Sequence, residues 1–236
     1  MMNLGTISIP TRYCGLPGKA HGGYCCGLLG KRIEGAAQVT LRAAPPLERP
    51  LRLESQEASG LRLWDDAMLI AEANAATLGI VPPSSVSYDD ASIAAALYSG
   101  FAYHPFPECF VCGPARTRED GLRIFPGPVS GQDVIAAPWV PDASVSEDGS
   151  LVPPEIVWAA LDCPGGIALN PTGVKPVVLG RLTVEIAEPL EIGNRYVVVA
   201  WPLGTEGRKR FAGTAIFSDE QKLYALGHAT WFALPV

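Results

Sequence analysis

The chain has 236 residues, 48% of them hydrophobic and 18% charged, with a net charge of −6. That is enough apolar material for one large domain or two small ones, and the composition excludes general disorder. The negative balance argues against nucleic acid as the main partner, since a phosphate backbone needs a basic face, but a small anionic ligand needs only a local cluster of Lys and Arg.

The opening "MMNLGTISIPTRYCG" has no basic segment followed by a long apolar one, so no signal peptide is expected. No run reaches the ~18 apolar residues of a membrane span. The longest, Met68 to Val81, is interrupted by Glu72 and Asn74. The expectation is a cytoplasmic protein with no membrane partner, whose six cysteines are reduced thiols.

"GTISIP" reads as a strand and "GGYCCGLLGKRI" as a helix, with His21, Gly22 and Gly23 at its start. Bare glycines at a helix start can hold an anion or a polarised carbonyl. The first two turns contain no carboxylate, so the stretch reads as half of an active site, or as glycines that simply permit a tight turn. "AAQVTLRAA", "PLRLESQEA", "GLRLWD" and "AMLIAEANA" follow as strands. Asp89-Asp90 before "ASIAAALY" predicts a capped connector helix, and the Pro-rich, Cys-containing stretch after it predicts a linker. Cys109-x-x-Cys112 in that stretch is half of a zinc site or a redox pair. No second C-x-x-C follows, and His104 and Cys163 are the other candidate ligands. Buried small side chains at a loop corner, with no metal, are the favoured reading over structural zinc.

In the second half "GLRIFPG" and "DVIAAPWV" read as short strands. "PPEIVWAALDCPGG" reads as a helix opened by two prolines, with Glu155 in its first turn, and closed by Pro164-Gly165-Gly166. Four strands, "VVLGRLTVEIA", "RYVVVAWPLG", "RKRFAGTAIFS" and "LYALGHATWFAL", complete the chain. Strands in a row favour an antiparallel sheet, and a lone helix must bury its apolar face on it. The two halves thus share an element order. They also share a local match around Pro46-Leu47-Glu48 and Pro189-Leu190-Glu191. The fold class expected is α+β, divided as 1–85, a connector 86–118, and 119–236.

A helix wrapped by a long antiparallel sheet, occurring twice, resembles a double hotdog protein. His21-Gly22-Gly23 and the helix "PPEIVWAALDCPGG" point to the hotdog acyl-CoA thioesterases that carry His-Gly-Gly at the central helix start and an Asp two turns on. With His21 set on Pro153, Gly23 falls on Glu155 and Gly30 on Asp162. One half keeps the glycines and the other keeps the carboxylate. The resemblance implies two tandem hotdog domains and a site at their interface. The family's Asn, six residues before the His, is Gly15 here.

What the resemblance implies is hydrolysis of an acyl-CoA thioester. Backbone N–H groups at Gly23 and Tyr24 would stabilise the oxyanion, and Gly22 and Gly23 would allow close approach. Asp162 would be general base or nucleophile, and His21 would act in catalysis or positioning, or simply cap the helix. Glu155 joins the substrate-contacting set, although a first-turn carboxylate stabilised by the helix dipole is the plainer reading. Arg116, near Arg118 and Arg123, is a candidate for the coenzyme A phosphates, as is the Arg208-Lys209-Arg210 run. Solvated turns are the plainer reading of both. His228 reads as a packed sheet residue. A thiol nucleophile at Cys163 would need a histidine partner, and a helix C-terminus does not lower a thiol pKa. No G-x-S-x-G supports an α/β-hydrolase, and no adjacent Asp/His pair supports a hotdog hydratase. No resident cofactor is expected, coenzyme A being part of the substrate. A homodimer through sheet edges is open. The alternative function is a non-catalytic acyl-CoA or fatty-acyl binding protein.

Overall fold

A computed structural model describes residues 2–56, 60–146, 148–171 and 177–233. One antiparallel sheet of eleven strands runs through it, in the order β1-β3-β4-β5-β2-β8-β11-β10-β9-β7-β6. The first half supplies β1 (Met2–Ile7), β2 (Ala37–Leu41), β3 (Leu51–Ser55), β4 (Leu61–Asp65) and β5 (Met68–Ala75). The second supplies β6 (Gly127–Pro128), β7 (Ile135–Trp139), β8 (Val177–Ile186), β9 (Tyr196–Glu206), β10 (Lys209–Ser218) and β11 (Leu223–Ala233). The order 1-3-4-5-2 of the first half recurs as 7-9-10-11-8 in the second. The halves meet through β2 and β8, where Ala37 faces Val184 and Thr40 faces Arg181.

Three helices lie near the centre of this arrangement: α1 (Gly22–Gly30), α3 (Pro154–Ala160) and α4 (Cys163–Leu169). Alternate residues of β9 divide between two cores. Tyr196 and Val198 belong to the core around α1 and α3, while Val197 and Val199 belong to a second core under α2 (Tyr88–Ala95). Burial on both faces explains why "YVVVAW" is continuously apolar rather than alternating. Among the described residues no helix is long and apolar enough to cross a membrane.

Helix α1 has four glycines in nine residues, a poor intrinsic composition. Tertiary packing compensates. Gly23, Gly27 and Gly30 share one face, and that face lies directly against α3. A Cβ on Gly27 would stand 2.5 Å from Glu155 Cα, and one on Gly30 would stand 2.3 Å from the Trp158 ring. The helices run antiparallel, so the start of α1 meets the end of α3. Lys31 and Glu155 pair at the other end, 2.7 Å apart.

Four sequence expectations are corrected. "PPEIVWAALDCPGG" is two helices: α3 ends at Ala160, the chain turns at Leu161–Asp162, and Pro164-Gly165-Gly166 lies inside α4. Proline is tolerated there because the first-turn N–H groups have no intrahelical partner. "GLRIFPG" forms strand only at Gly127, in β6; Leu122 and Ile124 are buried as extended chain and donate backbone bonds to Phe110 O and Val111 O. The cap of α2 is Ser87, whose Oγ accepts the Asp90 N–H at 3.0 Å; Asp89 and Asp90 are first-turn residues. The Pro-rich stretch is not a free linker, since Cys109, Phe110, Val111 and Cys112 are core residues.

Candidate active site

The loop before α1 is fixed by backbone bonds, His21 N–H to Tyr13 O at 2.7 Å and Ala20 N–H to Pro45 O at 2.9 Å. A Cβ on Gly15 would stand 3.0 Å from His21 Cα, so the loop packs closely against the start of α1. His21 caps α1: Nδ1 accepts the Tyr24 N–H at 3.3 Å. Opposite stands Asp162 at the α3–α4 corner. Its Oδ2 accepts the Gly23 N–H at 2.6 Å and lies 3.5 Å from His21 Nδ1. The two half-sites read from the sequence therefore meet. A Cβ on Gly23 would fall 2.5 Å from Asp162 Cβ, so only glycine permits this approach.

Asp162 is 3% exposed, and its Oδ1 is buried with no hydrogen-bond partner among the described residues. Burial pushes its carboxyl up to about 6, against the opposing pull of His21 and the Gly23 N–H. Burial lowers the His21 imidazole, but Asp162 and the Cys109 thiol outweigh it and the net shift is upward.

Asp162, His21 and Gly22 line a cavity of about 420 Å³. Its walls are mainly apolar, with Leu41, Leu179, Phe106, Tyr103, Trp231 and Phe232 among them. Such a space suits an acyl or aryl group.

Three thiols and two imidazoles line the same cavity. His21 Nε2 is 3.1 Å from Cys163 Sγ, Cys109 Sγ is 3.6 Å from Cys163 Sγ, and His104 Nε2 is 3.3 Å from Cys112 Sγ. Hydrogen bonds from the Cys112 and Cys163 thiols hold the Cys109 thiol below its ordinary range. Cys163 thus has the histidine partner that sequence could not supply, and it opens α4 rather than ending a helix. The sequence signal was present in Cys109, Cys112 and Cys163 but not their convergence.

The remaining predicted residues sit elsewhere or are already engaged. The Gly23 and Tyr24 N–H groups are taken by Asp162 and His21. The Gly22 N–H, by contrast, has no acceptor among the described residues. The Tyr24 ring stacks on Tyr13, centroids 3.9 Å apart. Glu155 pairs with Lys31 and lines a separate surface pocket, because it occupies the Gly23-equivalent position at the opposite end of the α1–α3 pair. Arg116 is buried and holds Glu108 O, Arg12 O, Cys14 Sγ and Asp120, so it braces the 105–123 loop and does not line the cavity. His228 lies on β11 opposite Gly213, as a sheet residue.

No protein-family model and no curated protein matches the sequence. Solved structures do match in fold. A putative thioesterase II from Thermobifida fusca superposes with a TM-score of 0.64 at 11% identity, over 99% of this chain and 95% of that one. Acyl-CoA thioesterase II TesB2 from Mycobacterium marinum gives 0.58 at 11% identity, over 94% and 92%. A conserved protein with hot dog fold from Alicyclobacillus acidocaldarius gives 0.54 at 10% identity, over 98% and 93%. The chain thus resembles hotdog-fold thioesterases in fold, over nearly its whole length.

Proposed function

We propose that the chain is a tandem pair of hotdog units that hydrolyses an acyl-CoA thioester at one site between them. The observation that carries this reading is Asp162, a residue of the cavity lining whose carboxylate is held by the Gly23 N–H across the α1–α3 contact. The thioesterase names of the similar folds support the same reaction class.

In this mechanism the acyl chain fills the cavity, which places the thioester carbon at the start of α1. The Asp162 carboxylate takes a proton from water, which adds to the carbonyl, while the Gly23 N–H orients the carboxylate. The Gly22 N–H, assisted by the helix dipole, is the oxyanion donor, in place of the engaged Gly23 and Tyr24 amides. Collapse releases the coenzyme A thiol and the carboxylic acid. At the equivalent place in the other half Gly30 stands where Asp162 does, so no second site is expected.

One observation favours the binding-only alternative. Asp162 Oδ2 occupies the Gly23 amide that the family pattern assigns to the carbonyl. A panel of short, long and aromatic acyl-CoAs separates the readings. Turnover of any member supports hydrolysis. Thermal stabilisation by an acyl-CoA without release of coenzyme A would replace it with binding.

A further inference from the structure

The reaction above makes no use of the thiols beside Asp162. Two separate segments deliver them, the loop carrying Cys109 and Cys112 and the start of α4 carrying Cys163. His21 Nε2, Cys109 Sγ and Cys163 Sγ lie within 4.8 Å of one another. All six cysteines are free thiols, although Cys109 and Cys163 approach to 3.6 Å.

These separations have a physical meaning. Tetrahedral zinc with bonds of about 2.3 Å to sulfur and 2.0–2.1 Å to imidazole nitrogen spaces its donors roughly 3.5–3.8 Å apart. The 3.6 Å Cys109–Cys163 and 3.1 Å His21–Cys163 distances are close to those edges. The Cys109-x-x-Cys112 turn is built to stay in place. Gly113 N–H closes it on Cys109 O at 2.9 Å, and Tyr98 donates its hydroxyl to Cys112 O at 3.0 Å. A Cβ on Gly113 would come within 2.6 Å of Cys109 N, so glycine is required for the tight turn.

Second-sphere support is also present. His21 Nδ1 sits 3.3 Å from Tyr24 N and 3.5 Å from Asp162 Oδ2, both long contacts. Ion binding at Nε2 takes the other tautomer: Nδ1 gives up the Tyr24 N–H it accepts in the metal-free state, carries the proton and turns it to the carboxylate. A carboxylate behind a ligating histidine is the usual outer-sphere arrangement.

We propose that Cys109 Sγ, Cys163 Sγ and His21 Nε2 form a zinc(II) site in the wall of the cavity, with the fourth position left for a water. Sulfur-rich ligation selects zinc over magnesium or calcium. Two thiols ionise on binding, their protons pass to solvent, and three protein donor bonds form without electron transfer. His104 stays outside as a hydrogen-bond donor to Cys112. This inference does not rest on thioester hydrolysis.

The test is the metal content of the reduced full-length protein after incubation with zinc chloride and desalting, together with cobalt(II) substitution. One zinc per chain is expected, with thiolate-to-cobalt charge-transfer absorption and tetrahedral visible bands. Cys109→Ser and Cys163→Ser should each weaken zinc roughly a hundred-fold or more, and Asp162→Asn about 10–100-fold. Cys14→Ser, outside the cluster, should bind as the wild type does. Retention of less than about a tenth of an equivalent by folded wild type would overturn the proposal. So would cobalt bound without charge transfer, or a folded Cys163→Ser that binds as tightly as wild type. If either serine variant fails to fold, the wild-type cobalt spectrum decides. Loss of turnover with zinc retained would refute the proposed function and leave this site standing.

Discussion

Gly23→Ala tests the contact on which the site depends. The added methyl would stand 2.5 Å from Asp162 Cβ, 2.9 Å from Asp162 Oδ2 and 2.9 Å from Trp158 O. A Cβ and a backbone oxygen cannot rotate away, so α1 must move off the α3–α4 corner. Overpacking of this kind costs about 1–3 kcal/mol. The same movement stretches the 2.6 Å bond from the Gly23 N–H to the carboxylate. A hydrogen bond to a charged group contributes about 1.5–3 kcal/mol. Alanine's better helix propensity returns about 0.5–1 kcal/mol. The net expectation is a loss of about 3 kcal/mol, or a midpoint lower by roughly 6–12 °C for a chain of this length. Urea and thermal unfolding measure it. Gly79→Ala, with nothing within 4 Å of the new Cβ, serves as control. A Gly23→Ala protein within about 0.5 kcal/mol of wild type would refute the argument, because that is the range of surface substitutions without a structural role.

Other expectations concern charge and the loop. Lys31→Met should cost about 1–3 kcal/mol at neutral pH. It strands Glu155, whose Oε2 already has no partner among the described residues, and turnover should be unchanged. Tyr98→Phe removes the bond to Cys112 O and should cost ~1 kcal/mol in urea unfolding. The metal-free protein should lose stability relative to Asp162→Asn as pH rises from 4 to 7. Asp162 is raised from 3.8 to about 6, so the folded state holds a proton the unfolded state has released. That stabilisation is complete below the unfolded pKa, is lost as pH rises through the folded one, and amounts to about 3 kcal/mol. A difference between the two proteins that stays flat with pH would contradict it.

Most strands were legible because one-face burial leaves alternation in the sequence, as in "LRLES" and "LRLWD", buried at every second residue. The repeated element order was legible for the same reason. The break between α3 and α4 was not, because Asp162-Cys163-Pro164 reads equally as the end of one helix or the start of the next. The loop carrying Cys109 and Cys112 has the Pro-rich composition of a linker, and only tertiary contacts put Phe110 and Val111 at 0% exposure. At the site, pairing Gly23 with Asp162 followed from comparing the two halves. The roles of the amides did not, since the carboxylate's reach to the Gly23 N–H depends on the glycine face of α1. That face was present as Gly23, Gly27 and Gly30, but spacing alone does not name the surface it packs on. Convergence of Cys163 with Cys109 spans 54 residues and has no local signature.

The most direct measurement is kcat/KM for the best acyl-CoA substrate, for wild type and for Asp162→Asn shown to be folded. A base at Asp162 predicts a loss of about 100-fold or more. Hydrolysis that survives the substitution at the wild-type rate would contradict the account.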